Sequence, residues 1–253
     1  MKLLDQARQQ LARRPELHGA RLIRELAAGP VSCKWLCARG AEHYVLSIDR
    51  PLAARLGIDR EAEYGLLKRL AAHALVSSPV AADVGVLVTR YQPGRVWTRT
   101  ELTNPDRLGQ LASALRRLHA APVSAPPLRL ASRLARYAEL SGQPGAEAEC
   151  CRAQELLDGL CPSSDVVCHN DPVVGNIVGS ATAMLIDWEY AGAGDRHFDL
   201  AAVLEHHRLS PRAERAFVLH YGKSGDVDVA LLRRWREIYR LTASLWKRAV
   251  ARE

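Results

Sequence analysis

The sequence predicts an α+β fold in which a smaller lobe contains a sheet and a larger lobe is mainly helical. Three observations support this prediction. Short strand-like and helical stretches alternate before residue 90. A Pro93-Gly94 pair then gives a turn or hinge signal, and apolar residues at helical spacing dominate the remainder. A single island of short strands, at residues 165–186, lies inside the helical part. We therefore expect domains at residues 1–93 and 94–253.

Turn residues and apolar runs divide the first part into elements. Gly29-Pro30 and Arg39-Gly40 are turn signals, and the apolar stretches that follow them are short enough to be strands. An apolar stripe at helical spacing comes next, and a compact, mostly β-branched run follows it. The predicted elements are a polar helix near residues 2–14, strands around 33–37 and 43–48, a helix over about 60–73, and a buried strand at 86–89.

The second part begins with a strong helix start signal. Asn104 is a capping residue, Pro105 suits the first helical position, and Asp106 places a negative charge at the positive end of the helix dipole. Leucines at helical spacing then continue to His119. Further helices are predicted after Pro127 and at the end of the chain. The apolar stripe of the closing helix consists of Leu231, Leu232, Trp235, Ile238, Tyr239, Leu245 and Trp246.

Composition restricts the class of protein. The 253 residues suffice for one large domain or two small ones with a sizeable core. Hydrophobic residues make up 48% and charged residues 25%, near the globular average, which excludes a disordered or fibrous chain. The charged N-terminal stretch lacks the apolar core of an export signal, and no apolar run reaches the roughly 20 residues that a membrane helix needs. We expect a soluble, cytoplasmic protein.

The net charge of +7 and the six cysteines predict neither a nucleic-acid partner nor a metal site. The positive charge is mostly Arg, scattered along helical patterns without a dense basic tract, which is typical of solvated helix faces. We expect no nucleic-acid and no membrane partner, and either a monomer or a dimer. The cysteines form no Cys-x-x-Cys pair, so we expect reduced thiols without zinc. They are Cys33, Cys37, Cys150, Cys151, Cys161 and Cys168.

The chemistry-bearing residues lie in the island of short strands. One apolar stub ends in His169 and Asp171, with Asn176 five positions after the Asp, and a second stub ends in Asp187. Phosphoryl transfer needs a carboxylate to orient the attacking hydroxyl and take its proton, and oxygen ligands for Mg²⁺. Kinase catalytic loops place Asp and Asn at this spacing, with the metal-binding Asp on the next strand.

These residues predict a catalytic site. We assign Asp171 as the catalytic base, His169 as a brace of the catalytic loop rather than a proton carrier, and Asn176 and Asp187 as Mg²⁺ ligands. The alternative that Asp171 and Asn176 merely cap turns, as Asp and Asn often do, leaves the second cluster unexplained.

The residues 169–176, followed by the stretch 185–192 and then by 199–201, resemble the aminoglycoside phosphotransferase and choline kinase superfamily. Within it they are most similar to bacterial thiamine kinases and bacterial choline kinases. The resemblance implies a protein-kinase-like bilobal fold, whose small lobe has an antiparallel sheet, and transfer of the ATP γ-phosphoryl group to a small alcohol of the thiamine or choline type. It also places Thr89 and Tyr91 on the strand beside adenine. An aminoglycoside kinase is the alternative within the superfamily.

The phosphate side of the site departs from the family's pattern. The family usually has a Lys or Arg on the third strand of the small lobe, where it contacts the ATP phosphates and pairs with a helix Glu. The register of that strand places Ser47 there, and Glu63 fits the helix Glu. Three explanations are open: Lys34 or Arg50 substitutes, phosphate binding is weakened, or the protein is a nucleotide-binding pseudokinase. The chain also lacks Gly-x-Gly-x-x-Gly and Walker-type elements.

Acidic and aromatic residues after Asp187 are candidates for the acceptor site. Carboxylates and aromatic faces recognise quaternary or thiazolium nitrogen. For a cationic alcohol as acceptor, we therefore expect Glu189, Trp188 and Asp195 to be the substrate-binding residues. The structural alternatives are also open. Glu189 could equally stabilise the local structure, and Trp188 could be a core residue. Asp199 could cap the following helix or bind it to a neighbouring segment.

Overall fold

The computed structural model describes residues 3–160, 165–222 and 227–251, with the side chain of Leu3 left out. The chain divides into two compact units, one ending at Gln92 and one beginning at Pro93. We call them the sheet unit and the helical unit and describe each by itself. The described cysteines are free thiols. Cys161 lies outside the described residues.

The sheet unit is built on a five-stranded antiparallel sheet with the order β1-β2-β3-β5-β4. Its strands are β1 (Arg21–Ala28), β2 (Ser32–Arg39), β3 (Glu42–Asp49), β4 (Pro79–Asp83) and β5 (Val86–Arg90). Its helices are α1 (Leu3–Ala12), α2 (Pro51–Leu56) and α3 (Arg60–Ala71), and a single 3₁₀ turn covers Pro15–Leu17.

The two faces of the sheet differ in chemistry because side chains alternate along each strand. Tyr44, Leu46 and Ile48 of β3 belong to a buried apolar cluster that also contains Ala7 and Leu11 of α1. The intervening residues of β3 therefore point to the opposite face, which carries Ser47 and Asp49 together with the apolar Val45. The core of the sheet unit thus lies on the α1 side of β3.

The helices and strands predicted for this unit are present, and three elements were missed. The missed elements are β1, α2 and β4. Strand β1 is largely exposed and carries charges, so it shows no alternating pattern. Helix α2 has only six residues, and β4 contains Pro79 and two alanines, which are poor strand signals. Each is defined by pairing or packing with a neighbour rather than by its own sequence.

The helical unit contains six described helices and two short strand pairs. The helices are α4 (Pro105–His119), α5 (Leu130–Ser141), α6 (Ala146–Asp158), α7 (Arg196–His207), α8 (Pro211–Tyr221) and α9 (Val229–Val250). The strands are β6 (Val166–Cys168), β7 (Ile177–Val178), β8 (Met184–Leu185) and β9 (Gly192–Gly194), and 3₁₀ turns cover Glu101–Thr103 and Val174–Asn176. Strand β6 pairs with β9 and β7 pairs with β8.

Local signals explain where α4 and α5 begin. The Asn104 side chain accepts a hydrogen bond from the Asp106 N–H at 2.8 Å, and Pro105 is the first residue of α4, as predicted. Its leucines are buried. The helix predicted after Pro127 begins at Leu130, because Arg129 has a left-handed backbone (φ 48°) that a helix cannot include.

Candidate active site

The catalytic loop, residues 169–176, is closed on itself by hydrogen bonds. The Nδ2 atom of Asn176 donates to the backbone carbonyl of Asp171 at 3.0 Å and to its Oδ2 atom at 2.8 Å. Backbone bonds from Val173 N–H to the Asp171 carbonyl and from Asn176 N–H to the Val173 carbonyl, both 2.8 Å, form two consecutive tight turns. The loop therefore holds the Asp171 carboxylate against the Asn176 amide.

The strand end that carries Asp187 is tied to the same loop. The Ile186 N–H donates to the Asn176 carbonyl at 2.9 Å, and the Ile186 carbonyl lies 3.0 Å from Nε2 of His169. Asp187 itself has a left-handed backbone (φ 68°), a conformation that Asp adopts more readily than most residues and that concentrates at functional sites. Hydrogen bonds thus join the loop that carries Asp171 and Asn176 to the strand end that carries Asp187.

The donor set of this cluster fits a hard divalent cation. Asn176 uses its amide nitrogen toward Asp171, so its amide oxygen is the atom it can present to a metal. Asp187 contributes carboxylate oxygens from the adjacent strand end. Mg²⁺ prefers ligands of this kind and is commonly held by one or two carboxylates together with substrate phosphates. The residues present therefore fit Mg²⁺.

His169 braces the loop. Its Nε2 faces the Ile186 carbonyl, and its Nδ1 accepts a bond from the Asp171 N–H at 3.3 Å. The ring is fully buried, and burial lowers its pKa below the usual 6.5. A neutral imidazole with both nitrogens engaged positions Asp171 and has no nitrogen left for a substrate proton.

A second brace, Asp199 on α7, holds the loop from behind. Its buried carboxylate accepts bonds from the N–H groups of His169 (2.8 Å) and Asn170 (2.6 Å) and lies 2.9 Å from Nε2 of His119. The sequence favoured a capping or stitching position at the following helix for Asp199. The structure shows that it stitches the helix to the catalytic loop. Asn170 needs this support because its backbone is left-handed (φ 65°).

The side chains of His119, Cys168 and Asp199 also lie close enough together to resemble a metal site, with ligand atoms within 4.8 Å. Their existing partners argue for a different role. The Asp199 carboxylate already serves two backbone groups, and Nδ1 of His119 lies 2.7 Å from the Tyr221 hydroxyl. Burial raises the pKa of the Cys168 thiol well above its usual value, so the thiolate that a metal needs is disfavoured. The cluster is a structural hydrogen-bond network.

Two of the residues expected at the acceptor site have structural positions instead. Trp188 is buried, donates from its indole nitrogen to the Leu185 carbonyl at 3.1 Å, and packs on the His169 ring at 4.6 Å. Asp195 caps α7 by accepting from the His197 N–H at 2.9 Å, and it is buried. Their positions support loop packing and helix capping. Trp188 and Asp195 thus serve the structure of the loop and of α7.

A cavity of about 690 Å³ in the helical unit has Asp171 in its wall. We call it the acceptor cavity. Its buried lining is aromatic, and Trp246 donates from its indole nitrogen to the Tyr190 hydroxyl at 2.9 Å. Burial raises the pKa of three phenols in this lining, and the negative charge of Asp171 adds to the effect. The aromatic lining residues are Tyr137, Tyr190, Phe198, Tyr239 and Trp246.

These aromatic residues, Tyr190 apart, come from α5, α7 and α9, so no local motif identified them. Their only signal was the helical apolar stripe, which core residues share. Glu189 is half-buried, and its charge raises the pKa of Tyr137 and Tyr190, which places its carboxylate near the cavity wall.

The charged residues of the cavity are arranged by depth. Arg133 is partly buried and its guanidinium lies 5.5 Å from the centre of the Tyr190 ring. Glu205 is paired with Arg236 and lies 3.7 Å from Arg240. The remaining cations of the lining, Arg208, Arg240 and Lys247, are exposed. Solvent screens these outer charges more than the inner ones.

The residues predicted to bind the nucleotide lie in the sheet unit. Ser47 is buried on β3, directly opposite Lys34 on β2. Glu63 is buried and accepts from Arg60 at 2.7 Å, and Arg60 also binds Asp49 at 2.5 and 2.8 Å. No sequence signal identified Arg60, because Asp49 lies eleven residues before it and only the fold brings Arg60 of α3 to the end of β3.

Thr89 and Tyr91 lie at the end of β5. Thr89 pairs with Val45 of β3. The Tyr91 N–H already donates to the His43 carbonyl at 3.0 Å, so a backbone contact from Tyr91 to adenine would fall to its carbonyl.

Two relatives are similar to part of this chain. The protein LicA homolog of Mycoplasma capricolum is 24% identical over 140 residues, covering 52% of this chain and 59% of the relative. Streptomycin 3''-kinase of Streptomyces griseus is 31% identical over 189 residues, covering 58% of this chain and 66% of the relative. The matches thus span less than two thirds of either relative.

The fold is that of choline kinase LicA from Streptococcus pneumoniae. The two structures superpose with a TM-score of 0.80 at 18% sequence identity. The alignment covers 99% of this chain and 91% of the LicA chain. LicA in complex with AMP gives a TM-score of 0.79 at 18% identity, covering 98% of this chain and 90% of its own. The predicted α+β, protein-kinase-like fold is confirmed.

Within the described part of the chain, every helix is too short or too polar to traverse a lipid bilayer. Residues 23–238 match the phosphotransferase enzyme family. The match covers most of the chain and includes the catalytic loop, Asp187 and Asp199. The chain therefore belongs to the phosphotransferase enzyme family.

Proposed function

We propose that this protein transfers the γ-phosphoryl group of ATP to the hydroxyl group of a small alcohol. The observation that carries the proposal is the position of Asp171. Its carboxylate is fixed by Asn176, the loop that holds it is bonded to the strand end bearing Asp187, and the same residue lines an aromatic cavity. Family membership and the similarity to kinases support the same reaction.

Asp171 would orient the acceptor hydroxyl and take its proton as the oxygen attacks the γ-phosphorus. The Asn176 bond to Oδ2 of Asp171 holds the carboxylate in one orientation. Asn176 and Asp187 would hold Mg²⁺, which neutralises charge on the phosphates as the γ-phosphoryl group is transferred. The bracing by His169 and Asp199 keeps the base in place, since positioning accounts for most of the catalysis in this reaction.

The acceptor we favour is an alcohol of the thiamine or choline type, with one cationic or aromatic group. Buried aromatic faces attract such a group, and Asp171 and Glu189 contribute negative charge near them. Arg133 lies 5.5 Å from the centre of the Tyr190 ring, an example of a cation at this ring face that supports the proposal. The similarity to choline kinase LicA favours the same class.

An aminoglycoside is the second candidate, favoured by the 31% identity to streptomycin 3''-kinase. The charge arrangement argues against it. A polycationic substrate large enough to reach the cavity rim would meet the exposed Arg208, Arg240 and Lys247. Repulsion grows with the number of substrate charges, so a singly charged alcohol held deep in the cavity is favoured over an aminoglycoside.

A nucleotide-binding pseudokinase is a third possibility because of Ser47. The intact set of Asp171, Asn176 and Asp187 favours the enzyme. A cytoplasmic location follows from the proposal, since ATP is supplied there, and stays a prediction.

The test is ADP release by the whole protein with ATP and Mg²⁺, using a panel of thiamine, choline, a neutral alcohol of similar size and an aminoglycoside. We expect turnover with thiamine or choline. ATP binding without turnover on any acceptor would support the pseudokinase instead, and turnover with only the aminoglycoside would overturn the acceptor proposal.

The matched variant is Asp171→Asn, which keeps the size of the side chain and removes the base. We expect kcat to fall roughly 10²- to 10⁴-fold, the usual contribution of a general base, while ATP affinity stays within a few-fold. Calorimetric ATP titration and ADP release measure the two quantities separately. Retained turnover with lost ATP affinity would contradict the assigned role.

A further inference from the structure

We infer that Lys34 on β2 supplies the phosphate-binding cation that Ser47 on β3 does not provide. This inference deepens the proposed function and rests on it for its catalytic consequence. Lys34 and Ser47 face each other directly across the antiparallel pair β2–β3. Opposed residues in such a pair project to the same face of the sheet, with Cβ atoms about 4.5–5.5 Å apart. A lysine at position 34 can therefore serve the same space as a lysine at position 47.

Lys34 and Ser47 share the face of the sheet opposite the α1 core, which we call the polar face because it carries Lys34, Ser47 and Asp49. Asp49 follows Ser47 by two residues and so points to the same side of β3, and the α1 core occupies the other side. The Asp49 carboxylate binds Arg60 at 2.5 Å, and Arg60 binds Glu63 at 2.7 Å. This chain of contacts holds Glu63 of α3 at the face where Lys34 lies. The face thus collects a cation and a helix carboxylate without a lysine on β3.

The side chain of Lys34 has the position and the length that the role requires. It is partly buried, and its Nζ atom lies 3.3 Å from the Ser32 hydroxyl oxygen. Ser32 pairs with Asp49 across the same two strands, so it belongs to the same face. The lysine stem has four carbons and its ammonium binds phosphate oxygens as a point charge. The distance between neighbouring strands is within its reach.

The two other cations near Ser47 are less suitable. Arg50 follows Ser47 by three residues in extended backbone, so strand alternation directs it to the opposite side, and it begins the turn into α2. Arg60 is 3% exposed and is held by two carboxylates, Asp49 and Glu63. Releasing it to a phosphate would break two short, largely buried ion pairs, which is costly. The geometry therefore selects Lys34 from the alternatives.

The decisive experiment moves the cation between the two strands. Lys34→Met should weaken ATP binding and lower kcat/KM for ATP roughly 10- to 150-fold, the range expected for loss of one charge-assisted hydrogen bond. The KM for the acceptor should change little. The double variant Lys34→Met/Ser47→Lys should recover most of the loss, because its ammonium group returns to the same face from β3.

The control is Lys68→Met on the exposed surface of α3, which should leave both quantities within twofold. ATP affinity is measured by calorimetry without acceptor, and folding is checked by the thermal midpoint. If Lys34→Met binds ATP as well as the original protein, the inference is wrong. It is also wrong if the folded double variant stays as weak as Lys34→Met. Should Lys34→Met fail to fold, Lys34→Gln replaces it in the same comparison.

The two proposals fail in different ways. If no acceptor supports ADP release, the proposed function fails, while ATP titration of these variants still decides the role of Lys34. If ADP release is found but Lys34 variants bind ATP normally, only this inference fails.

Discussion

The catalytic loop of the helical unit and the polar face of the sheet unit differ in how the chain assembles them. Asp171, Asn176 and Asp187 lie within seventeen positions of one another, and short-range hydrogen bonds fix them. On the polar face, Lys34, Ser47 and Glu63 come from three elements, and only sheet register and helix packing bring them together. In the catalytic loop, short-range hydrogen bonds require a fixed spacing between the residues. On the polar face, a cation on a neighbouring strand can occupy the same space as one on β3.

The two sites also differ in what their supporting charges do. In the helical unit, Asp199 binds backbone N–H groups of the loop, so it fixes the path of the chain. In the sheet unit, Arg60 binds the carboxylates of Asp49 and Glu63, so it fixes side chains and leaves the backbone to the sheet. Loss of the first support should disturb catalysis, and loss of the second should disturb nucleotide binding.

Among the supporting residues, the largest loss of stability is expected for Asp199→Asn. The substitution removes a buried charge that two loop N–H groups and His119 contact, so stability should fall by about 3–5 kcal/mol and kcat should fall at least tenfold. Urea denaturation and ADP release are the measurements. Asp195→Asn is the matched control on the same helix, and because Asn caps a helix about as well as Asp, it should change stability by less than about 1 kcal/mol and retain kcat. Equal kcat losses in the two variants would remove the distinction between loop support and helix cap.

A somewhat smaller effect is expected for Arg60→Met. Asp49 and Glu63 then remain near each other without their cation, which should lower stability by about 3 kcal/mol. ATP affinity should drop several-fold while kcat at saturating ATP is nearly kept, because the catalytic loop is untouched. Calorimetry and ADP release at several ATP concentrations separate these effects. A loss confined to kcat would contradict the division of roles between the two units.

The smallest effect is expected from acid, and it concerns the helical unit. Burial lowers the pKa of His207 from 6.5 to about 4, and it also lowers the pKa of His169. The unfolded chain takes up a proton near pH 6.5, whereas folded His207 does so only near pH 4. Stability from this group is therefore complete above pH 6.5 and falls as the pH drops toward 4, by up to roughly 3 kcal/mol.

Urea denaturation at pH 7 and pH 5 measures this dependence. His207→Phe removes the titrating group and should reduce the difference in unfolding free energy between the two pH values. An unchanged difference would show that His207 does not contribute to the acid sensitivity.

Elements with strong local signals were predicted and those without were missed. The Asn104 cap and the leucine stripe specify α4 because capping and amphipathic burial act within a few residues. Strand β1 is exposed and charged, and only its pairing with β2 makes it a strand. The same contrast holds for residues of the site. Trp188 was expected at the acceptor because it follows Asp187, yet its ring packs on His169.

The sequence by itself determined the α+β class, the catalytic loop and the roles expected for Asp171, Asn176 and Asp187. Their chemistry depends on which residue types occur at short separations along the chain. These separations can be read directly from the sequence. The tertiary structure decided that Asp199 supports the loop, that aromatic side chains from three helices form the acceptor cavity, and that Lys34 faces Ser47. Those features depend on which strands pair and which helices pack, and burial of distant apolar surfaces determines both.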